Sequence, residues 1–177
     1  MKETNEQTGF SLPNVSEKYP EVLSLDGRIY YNSEAGIIRC LADGSGEEAF
    51  SPHSGHLITD GKDIYCFNSR QILRLSQDGS EETVLKVSPI VNEAYFTTMN
   101  TIGEATVFAD TIYYVFKLFE NYELWAVATD GSGNHYIDTI CHVEKTVEGL
   151  ELSEDGGMIV ARYSDRGEAE EKEIRIF

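Results

Sequence analysis

An all-β chain of repeated four-stranded units is predicted by three observations. Ile29-Tyr30-Tyr31 returns as Ile64-Tyr65-Cys66 and again as Ile112-Tyr113-Tyr114. Asp43-Gly44-Ser45 returns as Asp78-Gly79-Ser80 and as Asp130-Gly131-Ser132, and the first two copies of both motifs share one offset, 35 residues. Ten Tyr and eight Phe in 177 residues suit half-buried pleated surfaces. A period of this length marks one supersecondary unit that needs neighbours to cover it. The predicted architecture is β-propeller-like, with four blade repeats of about four antiparallel strands each.

The repeats fall at about 21–50, 51–87, 93–137 and 147–177 of a single domain spanning 1–177. Residues 29–50 align with 64–85 without a gap, and eight identities in 22 positions exceed what composition alone gives. Asp26-Gly27 and Asp60-Gly61 are tight-turn signals, because Gly supplies positive φ and Asp tolerates it. Strands are expected at 21–25, 28–32, 37–41 and 47–50, and again at 55–59, 63–68, 72–75 and 82–85. One such sheet cannot bury both its faces alone, and stacking does it.

The third repeat opens with a strand at 106–109 or 94–98. Its hairpin, 112–118 with 122–128, is longer, since Ile112 and Asp130 are 18 residues apart where Ile29 and Asp43 are 14 apart. In the fourth, 148–160 reads strand, turn, strand, and the acidic stretch 165–173 reads as a solvated hairpin tip. Aligning Ile174-Arg175 on Ile38-Arg39 leaves this repeat without a fourth strand, which residues 8–12 are expected to supply. Four repeats suit a closed small ring, a segment of a larger ring, or a half-ring pairing with a second copy.

The net charge is −17, from 31 acids against 14 bases. This field argues against nucleic acid and anionic membranes as partners, and serves solubility, a cationic partner or a divalent ion. No run of about 18 apolar residues exists to insert into a membrane. The first six residues lead into no signal peptide. The chain reads as cytoplasmic, or as an extracytoplasmic fragment to which Met1 was added. Cys40, Cys66 and Cys141 form no CxxC; Cys40 and Cys66 sit in strand-like runs as small apolar residues, and one bridge plus a free thiol is the alternative.

These residues carry a resemblance. Leu152-Ser153-Glu154-Asp155-Gly156-Gly157-Met158-Ile159 resembles the turn of TolB-type propeller repeats, with Glu154 where Pro is usual. Leu124-Trp125-Ala126-Val127-Ala128-Thr129-Asp130-Gly131-Ser132-Gly133 resembles the strand and turn that close such a blade. The Ile-Tyr-Tyr and Ile-Ile-Arg patterns are similar to bacterial propeller domains related to those of low-density-lipoprotein receptors. The resemblance covers the chain from Glu21 and implies a β-propeller whose members mostly bind proteins, peptides or carbohydrates, often in the cell envelope.

Candidate sites are few. The Asp-Gly-Ser segments offer too few alternating ligands for a calcium loop and read as turns. His53 with His56, and Cys141-His142 with Glu144, belong to different repeats and could together supply the three or four ligands of a zinc site only by meeting in the fold, so they read as solvent-exposed loop histidines. Ser153-Glu154-Asp155-Gly156-Gly157 partly matches the sialidase Asp-box, a structural motif, and reads as a turn. The abundant carboxylates, Glu168, Glu170, Glu171 and Glu173 among them, show no spacing that identifies a glycosidase pair. No nucleophile elbow, H-E-x-x-H, dinucleotide or P-loop signature is present. The expectation is therefore no catalytic, cofactor or metal residues.

The best lead is the aromatic run Tyr113, Tyr114, Phe116, Phe119, Tyr122 and Trp125. Alternation places part of it in the core. Phe119, Tyr122 and Trp125, on the longer hairpin, are the candidate contact residues. The expected function is non-enzymatic binding of a protein, peptide or glycan, with homodimerisation through blade edges if the ring stays open. A structural or oligomerising piece of a larger envelope propeller, and a glycan-acting hydrolase with acidic residues, are the alternatives.

Overall fold

The computed structural model describes residues 16, 21–87, 90–92, 97–99, 101–153 and 156–176, with backbone only at 90–92 and 97–99. Among these residues there are seventeen strands and no helix. The strands form four antiparallel blade-like sheets and one small two-stranded pair. The chain divides into two compact units, Met1–Ser54 and Gly55–Phe177. The expected closing strand at 8–12 lies outside the described residues.

The first unit carries one sheet: β1 (Val22–Leu25), β2 (Arg28–Ser33), β3 (Gly36–Leu41) and β4 (Glu48–Ser51), in chain order. Asp26 and Gly27 both take positive φ, 49° and 73°, as a two-residue hairpin turn requires. Tyr30, Tyr31, Ile37, Cys40 and Phe50 are buried. Arg39 lies over the Phe50 ring at 5.0 Å and binds the Glu48 carboxylate across the sheet at 2.6 Å.

The second unit stacks three sheets. The first comprises β5 (His56–Thr59), β6 (Ile64–Asn68), β7 (Gln71–Leu75) and β8 (Glu81–Lys86). After the pair β9 (Ile90–Asn92) and β10 (Thr97–Met99) come β11 (Thr101–Phe108), β12 (Thr111–Leu118), β13 (Asn121–Ala128) and β14 (His135–His142). The last sheet has three strands among the described residues: β15 (Thr146–Leu152), β16 (Met158–Asp165) and β17 (Glu168–Arg175). Strand β11 meets β15 on one side and β5 and β6 on the other.

Two cores hold this stack, and alternation along β12 explains both. Ile112, Tyr114 and Phe116 face Tyr65, Phe67, Ile72 and Val84 of the preceding sheet. Tyr113 and Val115 face Ile159, Ala161 and Ile174 of the following one. Adjacent residues of the Ile-Tyr-Tyr motif are thus all buried, but on opposite sides. The far face of the last sheet differs: there exposed Arg162 bridges Glu151 and Glu171.

The three Asp-Gly-Ser turns are built alike. In each, an Asp carboxylate accepts the Ser N–H at 2.8–2.9 Å, and the Gly N–H donates to the carbonyl three residues back at 2.8 Å. Hydrogen bonds from serine, hydroxyl first at Asp43 and Asp130 and N–H first at Asp78, hold these carboxyls below the usual range. Gly131 adds a docking role. Its φ is +83°, and a Cβ there would lie 2.7 Å from the Val84 carbonyl of the preceding sheet.

Several expectations are corrected. The gapless alignment slips by one after the first Asp-Gly-Ser turn, because Gly46 (φ +69°) is an extra residue. In space Arg39 opposes Glu48 as Arg74 opposes Glu82, so Glu48, not Glu47, matches Glu82. Asp60-Gly61 opens the loop between β5 and β6, which has four residues where the expected strands leave three. There the Asp60 carboxylate accepts the N–H groups of Lys62 and Asp63 and the Tyr65 hydroxyl, at 2.8–2.9 Å. The third sheet begins with 101–108 rather than 106–109 or 94–98, and residues 94–96 lie outside the described set. The acidic stretch is a strand: only Arg166-Gly167 turns, and β17 pairs with β16 over eight residues without a bulge. Its glutamates are held by Arg162 on Glu171 and Lys145 on Glu170, which offsets their poor strand propensity. Finally, Ile176 N–H donates to the Gly157 carbonyl as Thr129 N–H does to Asp110, at 3.1 and 2.9 Å. Ile174 therefore sits level with Val127, two positions from the Ile38-Arg39 alignment.

Cys40, Cys66 and Cys141 are free and buried, and burial pushes the Cys66 thiol up to about 12. A thiol reagent should label none of the three in native protein at pH 8 and all three in guanidinium without reductant. Burial alone would raise the Asp60 carboxyl, but the backbone N–H bonds and the Tyr65 hydroxyl together lower it. A depressed carboxyl contributes stability above its unfolded pKa and loses it as pH falls through the folded value. Urea titrations should show stability falling below about pH 4, and falling less steeply in Asp60→Asn, which starts less stable at pH 7. Gly131→Ala should cost about 2–4 kcal/mol, through strain plus the clash with Val84. Gly133→Ala, at φ +66° with nothing nearby, should cost only about 1 kcal/mol.

Candidate functional site

The hairpin of β12 and β13 positions the candidate residues. Phe119 and Glu120 form its two-residue tip, with Phe119 at φ 51° and 54% exposed. Register then fixes the faces: Tyr114 opposes Trp125, Phe116 opposes Glu123, and Lys117 opposes Tyr122. Trp125 and Glu123 therefore share the face that meets the preceding sheet, and Tyr122 takes the other.

Tyr122 is half-buried against the second core, with the Lys117 ammonium 5.7 Å from its ring centre. Burial, then the Cys141 sulfur, raises its phenol. Trp125 lies at the rim of the first core. Its ring meets Phe116 edge-on at 5.8 Å and Tyr136 of β14 at 6.0 Å. Phe116 in turn meets Tyr114 at 6.3 Å. Four aromatic rings thus run from the buried interior to Tyr136, which is 46% exposed. Burial pushes the Tyr114 phenol, which donates to Asn134, up to about 12.

Glu123 links this ladder to the tip. Its carboxylate accepts the Trp125 indole N–H at 2.8 Å, and it lines a shallow cavity of about 340 Å³ with Leu118, Phe119, Glu120 and Asn121. Phe119 and Trp125 therefore belong to one surface, which Glu123 and Tyr136 complete and Tyr122 does not reach. Sequence reading missed Tyr136 because its place opposite Trp125 depends on a bulge. Register shifts between Leu124 and Trp125, which leaves Ile137 as the extra residue. A surface of aromatic rings beside two carboxylates suits a basic or amphipathic side chain.

The other candidates are dispersed. His56 stacks on Phe67 at 5.2 Å, and the His53 N–H donates to the Ser51 hydroxyl. Cys141 is buried in the second core, whereas its neighbour His142 is exposed. The Ser153 hydroxyl accepts the Met158 N–H at 2.9 Å, and Gly156 approaches Phe108 so closely that a Cβ would clash with its ring. That segment is a turn docked on the neighbouring sheet; Glu154 and Asp155 lie outside the described residues.

No family model matches this sequence, and no curated protein matches it. Among solved structures, a chain from the crystal structure of a nidogen/laminin complex is similar, with a TM-score of 0.55 and 12% identity. The match covers 82% of this chain and 60% of that one, so this chain spans about three fifths of the length of its neighbour. At that identity the likeness concerns fold alone. It bears on the β-propeller part of the expected resemblance; the narrower TolB-type assignment has no family match behind it. Repeat, sheet topology and structural neighbour agree on an all-β, β-propeller-like fold.

Proposed function

We propose that this chain is a non-enzymatic binding module that engages a protein or peptide through the third sheet. The observation that carries this reading is the aromatic ladder that leaves the core at Trp125 and ends in exposed Tyr136, on the same hairpin face whose tip carries exposed Phe119, with Glu123 between them. Exposed aromatics on a rigid sheet are typical binding anchors, because they bury much area at small entropic cost. Glu120 and Glu123 beside them, within a field of −17, favour a partner that presents Lys or Arg next to an apolar side chain. The solved neighbour is a propeller from a protein–protein complex, which agrees with a protein as the partner class.

Panning a peptide display library on the chain tests the reading. Enriched peptides should combine basic and apolar residues. Phe119→Ser and Tyr136→Ser should each weaken them by about tenfold, with the thermal midpoint little changed. Affinities insensitive to both substitutions, or turnover of a glycan panel by the same protein, would sink it.

A further inference from the structure

One hairpin of the second sheet departs from the repeat. In the first and third sheets, pairing runs to the last residues of the first two strands, with Leu25 opposite Arg28 and Phe108 opposite Thr111. Arg28 and Thr111 are also paired on their other side, with Leu41 and Ala128. Asp63 holds the same place before an Ile-Tyr pair, and there neither pairing forms. The second sheet stops one step earlier on both sides, at Thr59–Ile64 and at Ile64–Leu75. The Asp60 carboxylate instead captures the N–H groups of Lys62 and Asp63, both at 2.8 Å, and holds the loop open.

In place of the lost pairs lies a cavity of about 500 Å³, lined by Lys62, Asp63, Arg74, Ser76, Gln77 and Asp78. Asp63 is only 9% exposed. Its main chain is engaged, the N–H on Asp60 and the carbonyl accepting the Thr59 hydroxyl, both at 2.8 Å. Its carboxylate has no hydrogen bond or ion pair among the described residues, although burying an unpaired charge is costly. Lys62 beside it is exposed, and its ammonium has no ion pair among the described residues. The other charges on the wall are committed: Arg74 to Glu82, and Asp78 to the Ser80 N–H. Two opposite, uncommitted charges therefore face one small polar space.

We infer that this cavity binds a small zwitterion, a free α-amino acid, with its ammonium group on Asp63 and its carboxylate on Lys62. Charge selects this class. A plain anion meets Asp63 and a net charge of −17, and a plain cation meets Lys62. A divalent ion fares worse, since the described residues bring no three His, Cys, Asp or Glu side chains together to hold one. A molecule with both charges satisfies both groups and carries no net charge against the field. The Ser76 hydroxyl and Gln77 carboxamide add neutral donors and acceptors, and the volume is that of a small-molecule site. Hydrogen-bonded turns hold both walls, Asp60 on one side and Asp78 on the other, so little ordering remains to be done on binding. The site lies on a different sheet from the aromatic surface and does not rest on the reading proposed for it.

Titrating the full chain with each of the common L-amino acids, followed by amide NMR shifts, tests it. At least one should bind with a dissociation constant of about 1 mM or tighter, shifting the amides of residues 62–63 and 76–78. Acetylating its amine should weaken it about tenfold, because a charged hydrogen bond to a buried group is lost. Amidating its carboxylate should weaken it about threefold, because Lys62 is exposed. Asp63→Asn should abolish the first difference and Lys62→Gln the second. Lys62→Gln, at an exposed position, keeps the test decisive where Asp63→Asn fails to fold. Phe119→Ser should leave binding unchanged, which separates a failure here from one of the aromatic surface. No shift at these amides with any amino acid at about 10 mM, or equal binding of an amino acid and its blocked forms, overturns the inference. So do differences that survive both substitutions.

Discussion

The third sheet has to bury Ile112 and Tyr114 on one side and Tyr113 and Val115 on the other, and this double burial is the constraint from which the rest of the second unit follows. Each such side chain contributes about 1.5–3 kcal/mol when taken out of water. The eight core side chains of β12 and β13 therefore represent something over 10 kcal/mol, comparable with the whole net stability of a domain. A sheet with two apolar faces has no stable existence alone. It needs a neighbour on each side, and the stack of three sheets supplies both.

Stacking in turn constrains the turns. Sheets that approach closely enough to interdigitate leave no room for side chains where their corners meet. Gly131 against Val84 and Gly156 against Phe108 are places where the backbone itself forms the contact. In the third Asp-Gly-Ser turn the glycine thereby serves two ends, since Gly131 supplies the left-handed conformation and also lacks the Cβ that would hold neighbouring sheets apart. The aspartate fixes the turn from within by accepting the serine N–H.

Much of this was legible because each signal was local. The Ile-Tyr-Tyr and Asp-Gly-Ser motifs mark strand and turn wherever they occur, and Asp26-Gly27 announces its hairpin. What escaped depended on register. Gly46 displaces the fourth strand of the first sheet by one residue, so the identity of Glu47 with Glu82 was coincidental, and Glu48 is the spatial match. The run from Glu168 to Glu173 has the composition of a solvated tip, yet it is a strand, because Arg162, Lys145 and Lys172 lie within reach of carboxylates that sequence order separates from them. Of the candidate contact residues, Phe119 and Trp125 share a surface and Tyr122 lies opposite. Tyr136 joins them through a bulge that no pattern in β14 announces.

The charged far face of the last sheet, where Arg162 spans Glu151 and Glu171, bears on how such arrays acquire a definite size. A repeat apolar on both sides invites indefinite addition, as in fibres. A repeat with one apolar and one ionic side accepts a neighbour once and then presents water with a surface it already solvates well. Three side chains thus give that face an ionic character that the apolar interfaces of the second unit lack. Of the described sheets, the third has the two apolar faces that duplication into a longer array would need.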